Sequence, residues 1–232
     1  HKAALNVLTR ERICNTFDIT PGELIDTMAW AMKNPSEPIM IGKEEASVMD
    51  NTQKEVNLEI IPIPWHYKED KGRYQSASVI IAEYEGIRNM SFHRQYLRDK
   101  NHTVSRFVPR HLRTMMDKAQ ENGEEVSIAV VNAPDTVVLL AAAMSFNEPL
   151  DELKVAASLH QKLHGRPLKL VKLDNGIAVP ADAEYAMEAR ITLEYDDEGP
   201  YVDITGTVDG VRQEPVIEYD ALHHRNNPIF HA

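Results

Sequence analysis

Tyr185-Ala186-Met187-Glu188-Ala189-Arg190-Ile191-Thr192-Leu193-Glu194-Tyr195 leads through Asp196-Asp197 into Glu198-Gly199-Pro200-Tyr201-Val202-Asp203. A long run of β-forming residues, a Gly-Pro turn and a second such run make this stretch the centre of a strand-rich region. Outward from it, segments 168–173, 185–195, 201–208 and 215–219 read as strands. They are separated by Asn175-Gly176, Glu198-Gly199-Pro200 and Asp209-Gly210. A hairpin is expected upstream, with 76–84 turning at Glu85-Gly86 into 87–92, and together these strands could close a barrel. The turn also carries chemistry: Glu198 and Asp203 straddle Gly199-Pro200, and a strand end and a turn can aim two carboxylates into one cleft.

The middle of the chain is α/β in character. Pro109 opens a helix that Gly123 stops, 126–131 is a continuous apolar strand, and 135–145 and 151–163 read as helices. Thr20-Pro21-Gly22-Glu23 is a capping box with proline at the first helical position. Leu24, Ile25, Met28, Ala29 and Met32 follow at helical spacing to about Asn34. Segment 56–64, closed by Pro62 and Pro64, reads as an edge or lead-in strand. The tail 226–231 reads as lacking a terminal element, as if the chain once continued.

With 232 residues the chain is long enough for a substantial core, as one large domain or two lobes. A formal charge of −11 argues against a non-specific nucleic-acid binder. The single Cys14 excludes an internal disulfide framework and a multi-cysteine zinc site, and suits a reducing compartment. No apolar run approaches the ~20 residues of a membrane span and the N-terminus lacks a signal pattern, so a cytoplasmic protein is expected.

Several side chains stand out. Asn89-Met90-Ser91-Phe92-His93-Arg94 places an amide and a guanidinium five apart, on opposite faces of a strand unless it bends. His111 falls in the first turn of a helix, where the backbone N–H groups and the dipole favour a phosphate. Glu152 lies near the start of a later helix, after Met144; dipole complementarity alone would select it, and a lone Arg94 would ordinarily pair with a surface acid. His160 and His164, four apart on one helix face with no Glu to complete a zinc motif, read as solvated surface. His223-His224 reads as a loop pair, Asp196-Asp197 as a solvated acidic turn, and Met28, Met32, Met115 and Met116 as core filling.

The order and spacing of seven strings resemble the UbiD family of reversible decarboxylases. They are Asn57 to Pro64, Asp70 to Tyr74, Asn89 to Arg94, Pro109 to His111, Glu152 to Ser158, Val179 to Glu184 and Glu198 to Asp203. The resemblance implies an α+β fold with a flavin-reductase-like split β-barrel over 65–232, flanking helices, and an α/β N-terminal part over 1–64. The family's C-terminal domain has no counterpart in the chain. It further implies prenylated FMN as cofactor, with a divalent cation, manganese or magnesium, and often potassium beside the phosphate. Asn89, His111 and Glu152 match the cation ligands, and Ser76 a hydroxyl that helps to hold the monovalent ion. Asn89, Ser91, Phe92, His93, Arg94, Arg110, His111, Met144 and Glu152 would form the cofactor site. Arg94, Glu198 and Asp203 match the catalytic set, with Asp where the family usually has Glu.

The implied activity is non-oxidative decarboxylation of an α,β-unsaturated or aromatic acid. Arg110, where several members of the family carry Gln, and the string after Glu198 resemble the archaeal branch linked to trans-anhydromevalonate 5-phosphate in isoprenoid biosynthesis. A 4-hydroxybenzoate-type substrate and a non-catalytic flavin- or phosphate-binding module are the alternatives. The implied partners are the carboxylic acid substrate, further copies of the chain, a small companion subunit, and a flavin prenyltransferase that supplies the cofactor.

Overall fold

The computed structural model describes residues 2–145 and 150–232. Its frame is a mixed-length antiparallel sheet. Eight strands on one path are β1 (Tyr74–Gln75), β2 (Val79–Tyr84), β3 (Ile87–Phe92), β4 (Gln95–Leu97), β5 (His102–Ser105), β6 (Val126–Asn132), β7 (Tyr185–Glu198) and β8 (Arg212–His224). They run in the order β1-β4-β5-β8-β7-β6-β2-β3, with Asn51–Gln53 added to β8. Among the described residues no ladder joins β1 to β3, so the sheet is not closed into a barrel.

Alternation along β2 and β6 shows how the sheet is buried. Val79, Ile81, Ala129 and Val131 pack to one side, with Met90, Ala186 and the helices α4 (Thr136–Ala142) and α5 (Glu152–His164). Ile80, Ala82, Ile128 and Val130 pack to the other, with Met187, Ile217 and Leu112 and Met116 of α3 (His111–Glu121). Both faces are covered from Ile128 on, which is why 128–131 is apolar without interruption, while Ser127 near the strand's start is exposed. Each large side chain so buried is worth ~1.5–3 kcal/mol.

Helix α2 (Pro21–Lys33) carries the full capping box: Glu23 N donates to Thr20 Oγ1 at 3.3 Å and Thr20 N donates to Glu23 Oε2 at 2.8 Å. It is preceded by α1 (Arg10–Phe17), a helix that the reading of the sequence did not identify. Ile39–Ile41 pairs in parallel with Lys169–Lys172, which also pairs with Ala178–Pro180. Lys2–Ala4 pairs in parallel with Ile229–His231, so the tail does carry a strand.

Other expectations are corrected. Residues 56–64 form no strand: a single 3-10 turn, Leu58–Ile60, is capped by the Asn57 side chain. Residues 201–208 are not one strand, because the Asp203 carboxylate accepts from Thr205 N and folds the segment into a turn between Tyr201–Val202 and Val208–Asp209. Asp196-Asp197 and His223-His224 belong to the paired strands β7 and β8 rather than to loops. His160 is 1% exposed, not solvated, and its Nδ1 lies 2.7 Å from Arg166 O. Among the described residues no helix is long and apolar enough to cross a membrane.

Candidate active site

Four elements meet around a cleft of about 620 Å³: the end of β3, the N-terminus of α3, the segment after α4 and the start of α5. Asn89, Ser91, Phe92, His93, Arg110, His111, Met144 and Glu152 all line it. The period-2 geometry of a strand explains the first of these, since Asn89, Ser91 and His93 follow one another on one side. Arg94 falls on the other side and lines an adjoining recess of about 280 Å³ with Phe92, His93, Arg106, Val108, Asp203 and Asp209. Phe92, His93 and Val108 form the wall that the cleft and the recess share.

Strand β3 is clamped to α5 by three neighbouring contacts. Arg88 forks onto Asp151, the N-cap of α5, with Nε 3.1 Å from each carboxylate oxygen. Asn89 Nδ2 donates to Glu152 Oε1 at 2.9 Å, and Met90 N donates to Oε2 at 2.8 Å. Glu152 is 3% exposed, and burial pushes its carboxyl up to about 7 against the lowering effect of these bonds.

A proton count at Ser91 shows what Asn89 offers. Ser91 Oγ lies 3.1 Å from Asn89 Oδ1 and 2.9 Å from His93 Nε2, and it has one hydrogen to give. His93 Nδ1 lies 3.2 Å from the carbonyl of Arg106, which can only accept, so the imidazole proton sits on Nδ1 and both Nε2 and Asn89 Oδ1 face the one Ser91 hydrogen as acceptors. With two lone pairs, Asn89 Oδ1 keeps at least one for a cation. Burial, reinforced by the nearby Arg110 charge, holds His93 neutral, lowering it to about 4 although the Arg106 carbonyl opposes the shift.

Helix α3 begins at the cleft without a side-chain cap. Its first-turn N–H groups, the helix dipole and Arg110 form an anion site beside His111. An amide oxygen, an imidazole and a carboxylate on one cleft suit manganese or magnesium, with phosphate and water completing the sphere. The residues present therefore fit a divalent cation joined to a phosphorylated flavin.

In the recess, Arg94 Nε donates to Glu198 Oε1 at 2.8 Å and Nη2 donates to Oε2 at 2.7 Å, a bidentate pair on an acid with no exposure. The same Nη2 donates to Asp209 Oδ2 at 3.0 Å, Arg106 pairs with Asp209, and the guanidinium lies 4.6 Å over the Tyr201 ring. Tyr74 Oη donates to Glu198 Oε1 at 3.1 Å and accepts from Gly199 N at 3.2 Å. Asp203 lines the recess half-buried. Its hydrogen bonds from Thr205 hold its carboxyl below the ordinary value. Ser76 does not line the cleft; its Oγ is 3.3 Å from His66 Nε2.

Asp209, Arg106 and Tyr74 were not singled out as site residues from the sequence. Asp209-Gly210 reads only as a turn, although a third acid beside the Glu198 strand is a usable signal. Gly199 is required by geometry. It has φ +90°, and a Cβ there would meet Gly210 O at 2.6 Å.

The family model described as "UbiD: 3-octaprenyl-4-hydroxybenzoate carboxy-lyase Rift-related domain" matches residues 40–232. The chain is 33% identical over 228 residues to the anhydromevalonate phosphate decarboxylase of Methanocaldococcus jannaschii, covering 98% of this chain and 53% of the relative. It is 35% identical over 235 residues to the enzyme of the same name from Methanosarcina mazei, covering 100% of this chain and 53% of the relative. The chain thus spans about half the length of the curated relatives it matches. Among solved structures it is similar to the UbiD-class enzyme HmfF from Pelotomaculum thermopropionicum in complex with FMN. The TM-score is 0.93 at 28% identity, over 99% of this chain and 52% of the other. An evolved dimeric form of HmfF in complex with prFMN gives a TM-score of 0.91 at 29% identity, over 97% and 53%.

Proposed function

Because the chain belongs to the UbiD family, we propose that it is the cofactor-binding core of a non-oxidative decarboxylase that uses prenylated FMN and a divalent cation. The observation that carries this reading is the adjacency of two sites: Asn89, His111 and Glu152 on the cleft, and Arg94, Asp203 and Asp209 in the recess that shares its wall, with the buried Glu198 behind Arg94. When bound, prenylated FMN supplies the electron sink for loss of carbon dioxide.

The chain's own residues do the rest. Asn89 Oδ1, a nitrogen of His111 and the Glu152 carboxylate hold the cation, and the α3 N-terminus with Arg110 holds the cofactor phosphate. Arg94 orients the substrate carboxylate while Glu198 fixes the guanidinium plane. Asp203, at the side of the recess, moves the proton that replaces the lost carboxylate. Arg106, beside Arg94 in the recess, suits a phosphorylated acid. That suits trans-anhydromevalonate 5-phosphate, in line with the two relatives named as anhydromevalonate phosphate decarboxylases.

The test is to co-express the protein with a flavin prenyltransferase, identify the bound flavin by mass spectrometry, and measure carbon dioxide release. Release from trans-anhydromevalonate 5-phosphate and none from a polyprenyl-hydroxybenzoate is the expected result. Bound flavin with no release from either acid would favour a binding module.

A further inference from the structure

Away from the cleft, α4 and α5 bring together three side chains with no part in the reading above. Asp135, His160 and His164 each offer a donor atom, and these atoms all lie within 4.8 Å of one another. The two histidines are four apart on α5, hence on one face, and their rings lie tilted at 45° to each other with centroids 4.6 Å apart. Asp135 is the N-cap of α4. We propose that Asp135, His160 and His164 form a second metal site, for a zinc-class divalent ion, that staples the C-terminal turns of α5 to the N-terminus of α4.

The outer bonds are already those that such ligands use. His160 is buried, and its Nδ1 bonds the Arg166 carbonyl at 2.7 Å, so that nitrogen carries the proton and Nε2 keeps the lone pair. Nε2 makes no hydrogen bond to any described residue, and His160 lines a small pocket with Arg166 and Asp182. Asp135 Oδ1 accepts from Val137 N at 2.9 Å, which orients the carboxylate, while Oδ2 lies 3.0 Å from His164 Nε2. A metal ion would replace the His164 Nε2 proton, and two imidazoles with one carboxylate plus water is an established zinc set. Donors of a tetrahedral zinc stand ~3.3 Å apart for bonds of about 2.0–2.1 Å. Closure therefore needs the donors to approach by up to ~1.5 Å, within reach of the part-exposed Asp135 and His164 side chains. The site would brace the cleft from behind: α4 runs on into Ala142, Ala143, Met144 and Ser145, and α5 starts at Glu152, all of which line it.

Zinc titration of the metal-free purified protein against a chromophoric chelator tests this, with Asp135→Asn, His164→Asn and Glu152→Gln as variants. Asn at 135 can still cap α4, and circular dichroism checks the fold of each. A zinc that survives Glu152→Gln, which removes a ligand of the cleft cation, is expected in the wild type, weakened at least ten-fold in Asp135→Asn and His164→Asn. Zinc should also raise the melting temperature of the wild type but not of those two variants. Undiminished zinc affinity in both variants, loss of binding in Glu152→Gln alone, or no zinc bound by the folded wild type would overturn the proposal.

Discussion

Arg94 holds two acids at once, Glu198 through a two-point fork and Asp209 through one shared nitrogen. Lysine in its place keeps the charge but loses the fork, so Arg94→Lys should lower kcat/KM by at least ~100-fold while the protein stays folded. Asp203→Asn should abolish turnover and leave cofactor bound, as read from the flavin spectrum of the purified variant. Full activity would remove Asp203 from the mechanism. Tyr74→Phe leaves the buried Gly199 N–H without its partner and takes one hydrogen bond from Glu198, for a loss of ~1–3 kcal/mol in urea unfolding. His93 gives a pH dependence of known sign. Its folded value is about 4, against ~6.5 unfolded, so the unfolded state binds the extra proton and stability falls as pH drops from ~6.5 toward 4. The loss is at most ~1.4 kcal/mol per pH unit, and the urea midpoint of His93→Gln should fall less between pH 7 and pH 5 than that of the wild type.

At the scale of elements, the capping box of α2 is exposed and reciprocal, and Thr20→Ala should cost ~1 kcal/mol by thermal unfolding. Such local signals were legible in the sequence: the box, the Glu85-Gly86 hairpin and the apolar run of β6 each follow from rules that act over a few residues. What escaped depended on distant partners. Strands β4 and β5 are three and four residues long, and exist because each pairs with a neighbour across the sheet. Residues 56–64 look extended, yet Leu58 N bonds Lys100 O and the segment turns. The site divided in the same way. The wall of Asn89, Ser91 and His93 follows strand periodicity, whereas Asp209 reaches Arg94 and Arg106 only through the hairpin that Asp203 folds. The burial of His160 was hidden because its surroundings come from elements remote in sequence.

Across the whole molecule, the sheet sets two chemistries on either side of one wall: oxygen and imidazole donors with an uncapped helix end on the cleft, and the arginine–acid cluster in the recess. The central claim is that the cleft holds the cofactor phosphate through a cation on Asn89, His111 and Glu152. Calorimetric titration of FMN into the purified protein, with and without manganese, tests it most directly. Manganese-dependent binding is expected, weakened at least ten-fold in His111→Ala and in Glu152→Gln and changed little in Asp203→Asn. FMN binding that ignores manganese and is equal in all four proteins would contradict it.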